Sequence, residues 1–465
     1  MAADSVSRNA AFAVVTRLST AAITAFVALF LGRQLGPQVY GYFALAVSIG
    51  AVSTFLADVG ITSATPRFLA ERRHDRAAVT AVLGDAMRLK AFAAIPVSAL
   101  LFALAGPITD VFDTPGAEWA LRGISIAVLA QGFFLFVLAT FEALGRISFN
   151  LRVVGIESLV EGSSIVVLVL LGPGGSGAGE ISGLRVREIL AYSGALLIVD
   201  GLFRAFAQID VLLIGLILGG GRAIGLFDLP MQLAWFLHYP AGAVSTAVAP
   251  RLARGPGSEP AIETFKDAMR WITALQGIFL APVIVWAEPI MTTLLGPKYK
   301  ESGDVLQALA PFVLVSGPAL LASLAVNYLG SARRRVPLAV AALGVNAVWD
   351  VIFLPKWGIV AGAIGTDLAY AVWVPGHLLI LRDQLNLPLR PVALDFVRAA
   401  LAAGVACLPL LALGADPGLA VLVLGCGLAC LGYAVALRLM GGLSAADINR
   451  MREIAGRRIA WVNPR

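Results

Sequence analysis

Residues 31–50 read LGRQLGPQVYGYFALAVSIG, and residues 214–230 read IGLILGGGRAIGLFDLP. Leu31-Gly32, Leu35-Gly36, Gly41 and Phe43 answer to Ile214-Gly215, Leu218-Gly219, Gly225 and Phe227. Further on, Thr62 and Pro66-Arg67 answer to Thr246 and Pro250-Arg251, and the interval from Gly41 to Pro66 equals that from Gly225 to Pro250. Glycines, a Pro-Arg pair and a constant interval together mark an internal repeat, one structural unit built twice. The match resumes at Leu144-Gly145-Arg146, which corresponds to Leu329-Gly330-Ser331 and the triplet Arg333, Arg334 and Arg335.

The repeated unit is made for lipid. Of 465 residues, 59% are apolar and 14% charged, against about 25% charged in soluble domains. A helix needs about 20 apolar residues to cross a hydrocarbon layer of roughly 30 Å. Such segments are predicted at 9–33, 41–64, 88–108, 119–141, 152–171, 188–218, 224–249, 271–295, 305–328, 337–354, 359–381, 396–413 and 417–439, thirteen in all, with short polar joins and no soluble domain left over. The fold class is therefore an all-α integral membrane protein.

The net charge of +6 is distributed by loop. The join from Pro66 to Lys90 carries Arg67, Arg72, Arg73, Arg76, Arg88 and Lys90, and reads as an amphipathic cytoplasmic segment that meets anionic lipid or merely connects. The join with Asp110, Asp113 and Glu118 reads as external, and the arginine triplet and the tail with Arg450, Arg452, Arg457, Arg458 and Arg465 as cytoplasmic. This is a positive-inside bias rather than a patch for nucleic acid. It places both termini in the cytoplasm, which requires an even number of crossings and conflicts with thirteen.

The repeat locates the conflict. Leu354 to Gly358 (LPKWG) and Gly362-Ala363 open a helix running to about Leu381, whereas Gly177-Ala178 in the first repeat is followed almost at once by Arg185. Residues 172–183, GPGGSGAGEISG, are too short and glycine-rich to span. The first repeat lacks its sixth helix. The expected organisation is a first lobe of five helices over 1–183, a second lobe of six over 184–382, two additional helices over 383–440, and a cytoplasmic tail over 441–465.

Cys407, Cys426 and Cys430 lie in the last two apolar segments and read as core residues, since free cysteine behaves as a small hydrophobe. His74, His238 and His377 are too scattered for a metal set, and no cofactor is expected.

The pattern LGRQLGPQVYGYFALAVSI, followed by LADVGI (56–61) and PRFLAERR (66–73), resembles the opening of polysaccharide transporters of the multidrug/oligosaccharidyl-lipid/polysaccharide (MOP) exporter superfamily. Ile209-Asp210 before LLIGLILGGGRAIGLF, then AVAPRLAR (247–254) and FLPKWGIVAGAIGT (353–366), are similar to its second half. The resemblance covers roughly residues 5 to 440. It implies two pseudo-symmetric helical lobes around a central cavity that opens to one side at a time, two C-terminal helices, and residence in the cytoplasmic (inner) membrane. It also implies flipping of an undecaprenyl-diphosphate-linked oligosaccharide, with that lipid-linked glycan, membrane lipids and other polysaccharide-assembly proteins as partners and no nucleic acid.

Flipping a lipid makes no covalent bond, so no catalytic acid and base are required. A diphosphate held at membrane depth needs cations there, where burial is costly without a partner or a wet cavity. Arg17 and Arg204 are the basic residues placed well inside predicted helices, and guanidinium suits a phosphate through paired hydrogen bonds. Asp200 lies one turn before Arg204 and is its alternative partner. Glu157 and Glu161 share a helix face, and Glu161 lies at a depth similar to that of Arg17, so an Arg17–Glu161 pair that the diphosphate breaks is expected. Asp58, Asp200, Asp210, Asp228, Asp350 and Asp367 are candidates to bind a coupling proton or sodium ion, Asp210 foremost because it interrupts an apolar run. The flippase reading stands against a cation antiporter for drugs or metabolites on the same fold. It also stands against a membrane glycan polymerase or ligase, which would need a larger outer loop than this sequence supplies.

Overall fold

The computed structural model describes residues 2–58, 75–143, 207–252 and 259–443, with single positions between 60 and 69. Among these residues the chain is helical, joined by turns and short 3-10 segments. The elements are α1 (Ala2–Asp58), α2 (Arg76–Ala103), α3 (Ala105–Val111), α4 (Glu118–Ala143), α5 (Ala207–Leu218), α6 (Gly221–Leu237), α7 (Tyr239–Leu252) and α8 (Glu259–Gly277). They continue as α9 (Leu280–Val285), α10 (Ala287–Leu295), α11 (Ser302–Ala308), α12 (Ala310–Tyr328), α13 (Arg335–Trp357), α14 (Val360–Leu385), α15 (Leu389–Ala412) and α16 (Leu419–Leu439). Nine helical stretches among the described residues are long and apolar enough to cross a membrane.

α1 is two helices joined at a kink. Gly36 has φ 73° and ψ 170°, a conformation that suits glycine, and Pro37 starts the second arm. The second repeat breaks at the equivalent place, where Gly219 and Gly220 have φ 69° and 71° before α6 begins. The predicted pair 9–33 and 41–64 thus appears as the two arms of α1, and the glycine cluster that opened the repeat is its hinge in both copies.

The arms meet across the lobes. A Cβ on Gly41 would lie 1.7 Å from the Gly221 carbonyl oxygen, and one on Gly225 would lie 1.9 Å from that of Pro37. Gly41 and Gly225 hold one position of the repeat, Pro37 and Gly221 another, so each contact becomes the other when the lobes are exchanged. That reciprocity is the signature of a two-fold axis. It runs where small residues let two helix backbones touch, as helices do in a membrane when side chains are absent.

Two expectations are overturned. The join Pro66 to Lys90 is not a loop throughout, because α2 begins at Arg76, capped by Asp75, whose carboxylate accepts from Ala77 N at 2.9 Å and Ala78 N at 3.1 Å. The segment predicted at 88–108 began only at the end of this charged join, which runs through Arg76, Asp85, Arg88 and Lys90. Arg88 is accommodated by exposure beside Asp85, and Lys90 by an ion pair with Asp58. The segment predicted at 271–295 is likewise a series, α8, α9 and α10, broken at Phe279 and Trp286.

The two C-terminal helices lie against the second lobe. Trp286 donates to the Gly414 carbonyl at 2.9 Å, and its ring fills the space left by Gly425 on α16, as Tyr433 fills that left by Gly277. Outward faces such as Val348, Val351, Leu408, Leu424 and Leu439 are exposed, as helices surrounded by hydrocarbon require. The predicted helix 152–171, most of 188–218, the segment 172–183, the boundary at residue 183 and nearly all of the tail lie outside the described residues, and with them the question of parity.

Candidate functional site

A cavity of about 380 Å³ lies between the lobes, walled by the first arm of α1 at Thr24, Phe26 and Leu29 and by α6 at Gln232, Trp235 and Phe236. Thr24 precedes the Gly36 hinge by twelve residues, about 18 Å along a helix, so the cavity lies on one side of the Gly41–Gly221 contact, well below it. The lobes are sealed at the hinge end. There Tyr299 donates to the Gly32 carbonyl at 2.8 Å, Arg33 to that of Leu294 at 3.2 Å, and Tyr40 to Asp228 at 2.8 Å. The last bond is buried and joins the second arm of α1 to α6, so Asp228 is a contact between lobes.

Arg17 lies on the first arm of α1, seven residues before Thr24 and so about 10 Å further along the axis. Glu157, Glu161, Asp200 and Arg204 lie outside the described residues. The expected Arg17–Glu161 pair therefore has only its helix position to stand on.

Asp210 on α5 is buried and brought together with three residues of α13 and α14. Asn346 Nδ2 donates to its Oδ1 at 2.9 Å and Thr366 Oγ1 to its Oδ2 at 2.7 Å. The Asp350 carboxyl, one turn beyond Asn346, faces that of Asp210. Asn346 Oδ1 is buried without a hydrogen-bond partner, and the buried Asp350 oxygens have one only when a proton is shared with Asp210. A Cβ on Gly365 would stand 2.4 Å from Asp350 Oδ1, so glycine makes the room for this group. Among the described residues no Lys or Arg forms an ion pair with either acid. Two carboxyl groups side by side at membrane depth demand a proton or a metal cation, and four side chains presenting oxygen suit a hard cation.

The other acids are engaged differently. Asp367 accepts the Phe312 backbone N–H at 2.8 Å near the start of α12, an N–H that no preceding turn satisfies. Asp58 is bound by the Lys90 ammonium and by the Thr62 hydroxyl.

Two buried cations escaped the sequence. Lys90 was placed in a loop, and Arg335 in the join before Pro337, yet both are buried. Arg335 donates from Nε to His377 Nε2 at 3.1 Å, from Nη1 to Asn327 Oδ1 at 2.6 Å and from Nη2 to Ser323 Oγ at 2.5 Å, and it lies 5.5 Å over the Trp373 ring. His377 Nδ1 lies 2.8 Å from the Trp373 carbonyl, so Nδ1 carries the hydrogen and the neutral ring accepts from arginine. The signal for the acid cluster was readable: Asn346 and Asp350 stand four apart on a helix otherwise apolar at that depth, hence on one face.

Residues 30–177 match the family model described as "Polysaccharide biosynthesis protein". No curated protein matches the sequence significantly. Among solved structures, "Lipid II flippase MurJ, inward closed conformation" is similar with a TM-score of 0.68 at 13% identity, covering 91% of this chain and 97% of that one. "MATE in the straight conformation" is similar with a TM-score of 0.51 at 14% identity, covering 81% and 96%. A multidrug resistance MATE family transporter of the MOP superfamily, inward-facing, matches with a TM-score of 0.49 at 13% identity over 80% and 98%. These structures are of flippases and transporters, not of enzymes. Residues 30–177 thus carry the sequence pattern of a polysaccharide biosynthesis protein, and the described residues have the all-helical membrane fold shared by the MurJ flippase and the MATE transporters.

Proposed function

We propose that the protein flips an undecaprenyl-diphosphate-linked oligosaccharide from the inner to the outer leaflet of the cytoplasmic membrane by alternating access. The observation that carries this reading is the polysaccharide biosynthesis match over the first lobe, on a fold whose two lobes enclose a cavity sealed at one end. With the hinge end taken as the outer side, on the charge bias of the loops, we read the sealed end as closing the cavity outward and Arg17 as standing on the open side for the diphosphate. Asp210, with Asn346, Asp350 and Thr366, binds the coupling proton or sodium ion. What supports this is the pair of carboxyl groups, Asp210 and Asp350, facing one another with no Lys or Arg paired to either among the described residues. Polysaccharide-assembly proteins are the expected partners.

The test is complementation of a strain lacking its oligosaccharide flippase. Export of the glycan should be restored by the wild-type chain, lost with Arg17→Ala, and made insensitive to sodium or proton gradients with Asp210→Asn. If Arg17→Ala and Arg17→Lys both export normally, Arg17 does not hold the diphosphate. If the wild-type chain restores no export yet confers efflux of cationic dyes, the antiporter reading replaces this one.

A further inference from the structure

The first lobe holds an acid at the end of a helix with a lysine already seated on it. Asp58 is the last residue of α1, and Gly60 follows with φ 73°, the left-handed residue that commonly ends a helix. A helix C-terminus carries partial negative charge, so a carboxylate there adds like to like and calls for a cation. The Thr62 hydroxyl bonds the same Asp58 oxygen, which gathers carboxylate and hydroxyl oxygens at the negative end of a helix. That set resembles in kind the helix-end sites at which membrane transporters bind sodium. Here the Lys90 ammonium fills it, bonded to Asp58 and 3.3 Å from Thr62 Oγ1. Its side chain is 1% exposed against 20% for Asp58, so the ammonium is delivered from inside the lobe. Gly132 on α4 makes the room, since a Cβ there would stand 3.3 Å from Lys90 Cε.

The second lobe is arranged in the opposite way. The position of Asp58 in the repeat is Gly242 in the second copy, and in that lobe Asp210 accepts from Asn346 and Thr366 beside Asp350, neither of the two acids having a basic partner among the described residues. We propose that Lys90 is a tethered cation that permanently occupies a cation site in the first lobe, so that an exchangeable cation is bound by the second lobe alone. The buried ammonium and the partly buried carboxylate neutralise one another at a depth where either alone would be costly. The pair's meaning for transport rests on the cation-coupled reading above, whereas the site itself rests on the Asp58–Lys90 geometry.

The experiment is sodium binding to the purified full-length chain, counted with radioactive sodium, for wild type, Lys90→Met, Lys90→Gln and Lys90→Arg, and for Lys90→Met combined with Asp58→Asn or with Asp210→Asn. Lys90→Met should bind one sodium ion per chain more than wild type. The added ion should persist with Asp210→Asn and vanish with Asp58→Asn, and Lys90→Arg should add none. Lys90→Gln, close in shape and able to keep a bond to Thr62, supplies the same comparison if Lys90→Met elutes as aggregate. Equal binding by wild type and both neutral variants overturns the proposal, as does an added ion that survives Asp58→Asn. Asp210→Asn alone is measured beside these for the wild-type ion: if it leaves that ion in place, coupling at Asp210 is refuted while the Lys90 result stands.

Discussion

Substituting Gly41 by alanine should unseal the hinge end of the protein. The new Cβ would stand 1.7 Å from the Gly221 carbonyl oxygen, while non-bonded carbon and oxygen come no closer than roughly 3.2 Å, so the two helices must part by about 1.5 Å. Both sides of this contact are backbone, which leaves no side-chain rotation to absorb the change. Overpacking of a close contact costs about 1–3 kcal/mol, which at 1.4 kcal/mol per decade lowers the sealed population about 5- to 150-fold. Spin labels on Val39 and Lys300, exposed positions on opposite lobes near the seal, would report the shift by pulsed electron resonance as a second, longer distance. Gly225→Ala should do the same through the Pro37 carbonyl, and the double variant should open little further, since one separation relieves both contacts. A distance distribution for Gly41→Ala indistinguishable from wild type would refute the two-fold backbone contact as the element that closes the lobes.

Tyr40→Phe removes the buried bond to Asp228 and leaves a carboxylate oxygen unpartnered, so the same labels should show the sealed state weakened by about 1–3 kcal/mol, with no change if Asp228 is already satisfied within α6. Thr366→Val should reduce the affinity of the Asp210 cluster for sodium or a proton several-fold while leaving the melting temperature nearly unchanged, which equilibrium binding and thermal unfolding in detergent would separate. Arg335→Lys should lower the melting temperature almost as far as Arg335→Ala, because an ammonium cannot reproduce three directed bonds to His377, Asn327 and Ser323; full retention of stability by lysine would show that charge alone matters there.

What the sequence made legible was local or repeated. The glycine cluster at Gly36 and its answer at Gly219 and Gly220 marked the hinge, and the matched Gly41 and Gly225 marked the lobe contact, because a close backbone approach leaves its trace in the residues themselves. Asp210 was visible as a charge in an apolar run. Its partners Asn346 and Thr366 were not singled out, since nothing local joins α5 to α13 and α14; only packing brings them within 3 Å of Asp210. Lys90 was hidden for a related reason. Standing at the very start of the segment predicted at 88–108, it was counted with the charges of the join, whereas the carboxylate that neutralises it belongs to the preceding helix. The N-cap at Asp75 was the local sign that the helix begins earlier. Arg335 was read by its neighbours Arg333 and Arg334 as one more loop arginine, though it alone of the three is buried at the start of α13.

The most direct test of lipid-linked glycan flipping is transbilayer movement in liposomes containing the purified chain and a fluorescent undecaprenyl-diphosphate oligosaccharide, followed by quenching of the outward-facing label. The expected result is an accelerated quench of the inner-leaflet pool relative to protein-free liposomes, abolished by Arg17→Ala and responsive to a sodium or proton gradient only while Asp210 is present. A quench no faster than in empty liposomes, from protein whose lobes still open and close by the Val39–Lys300 distance, would contradict it.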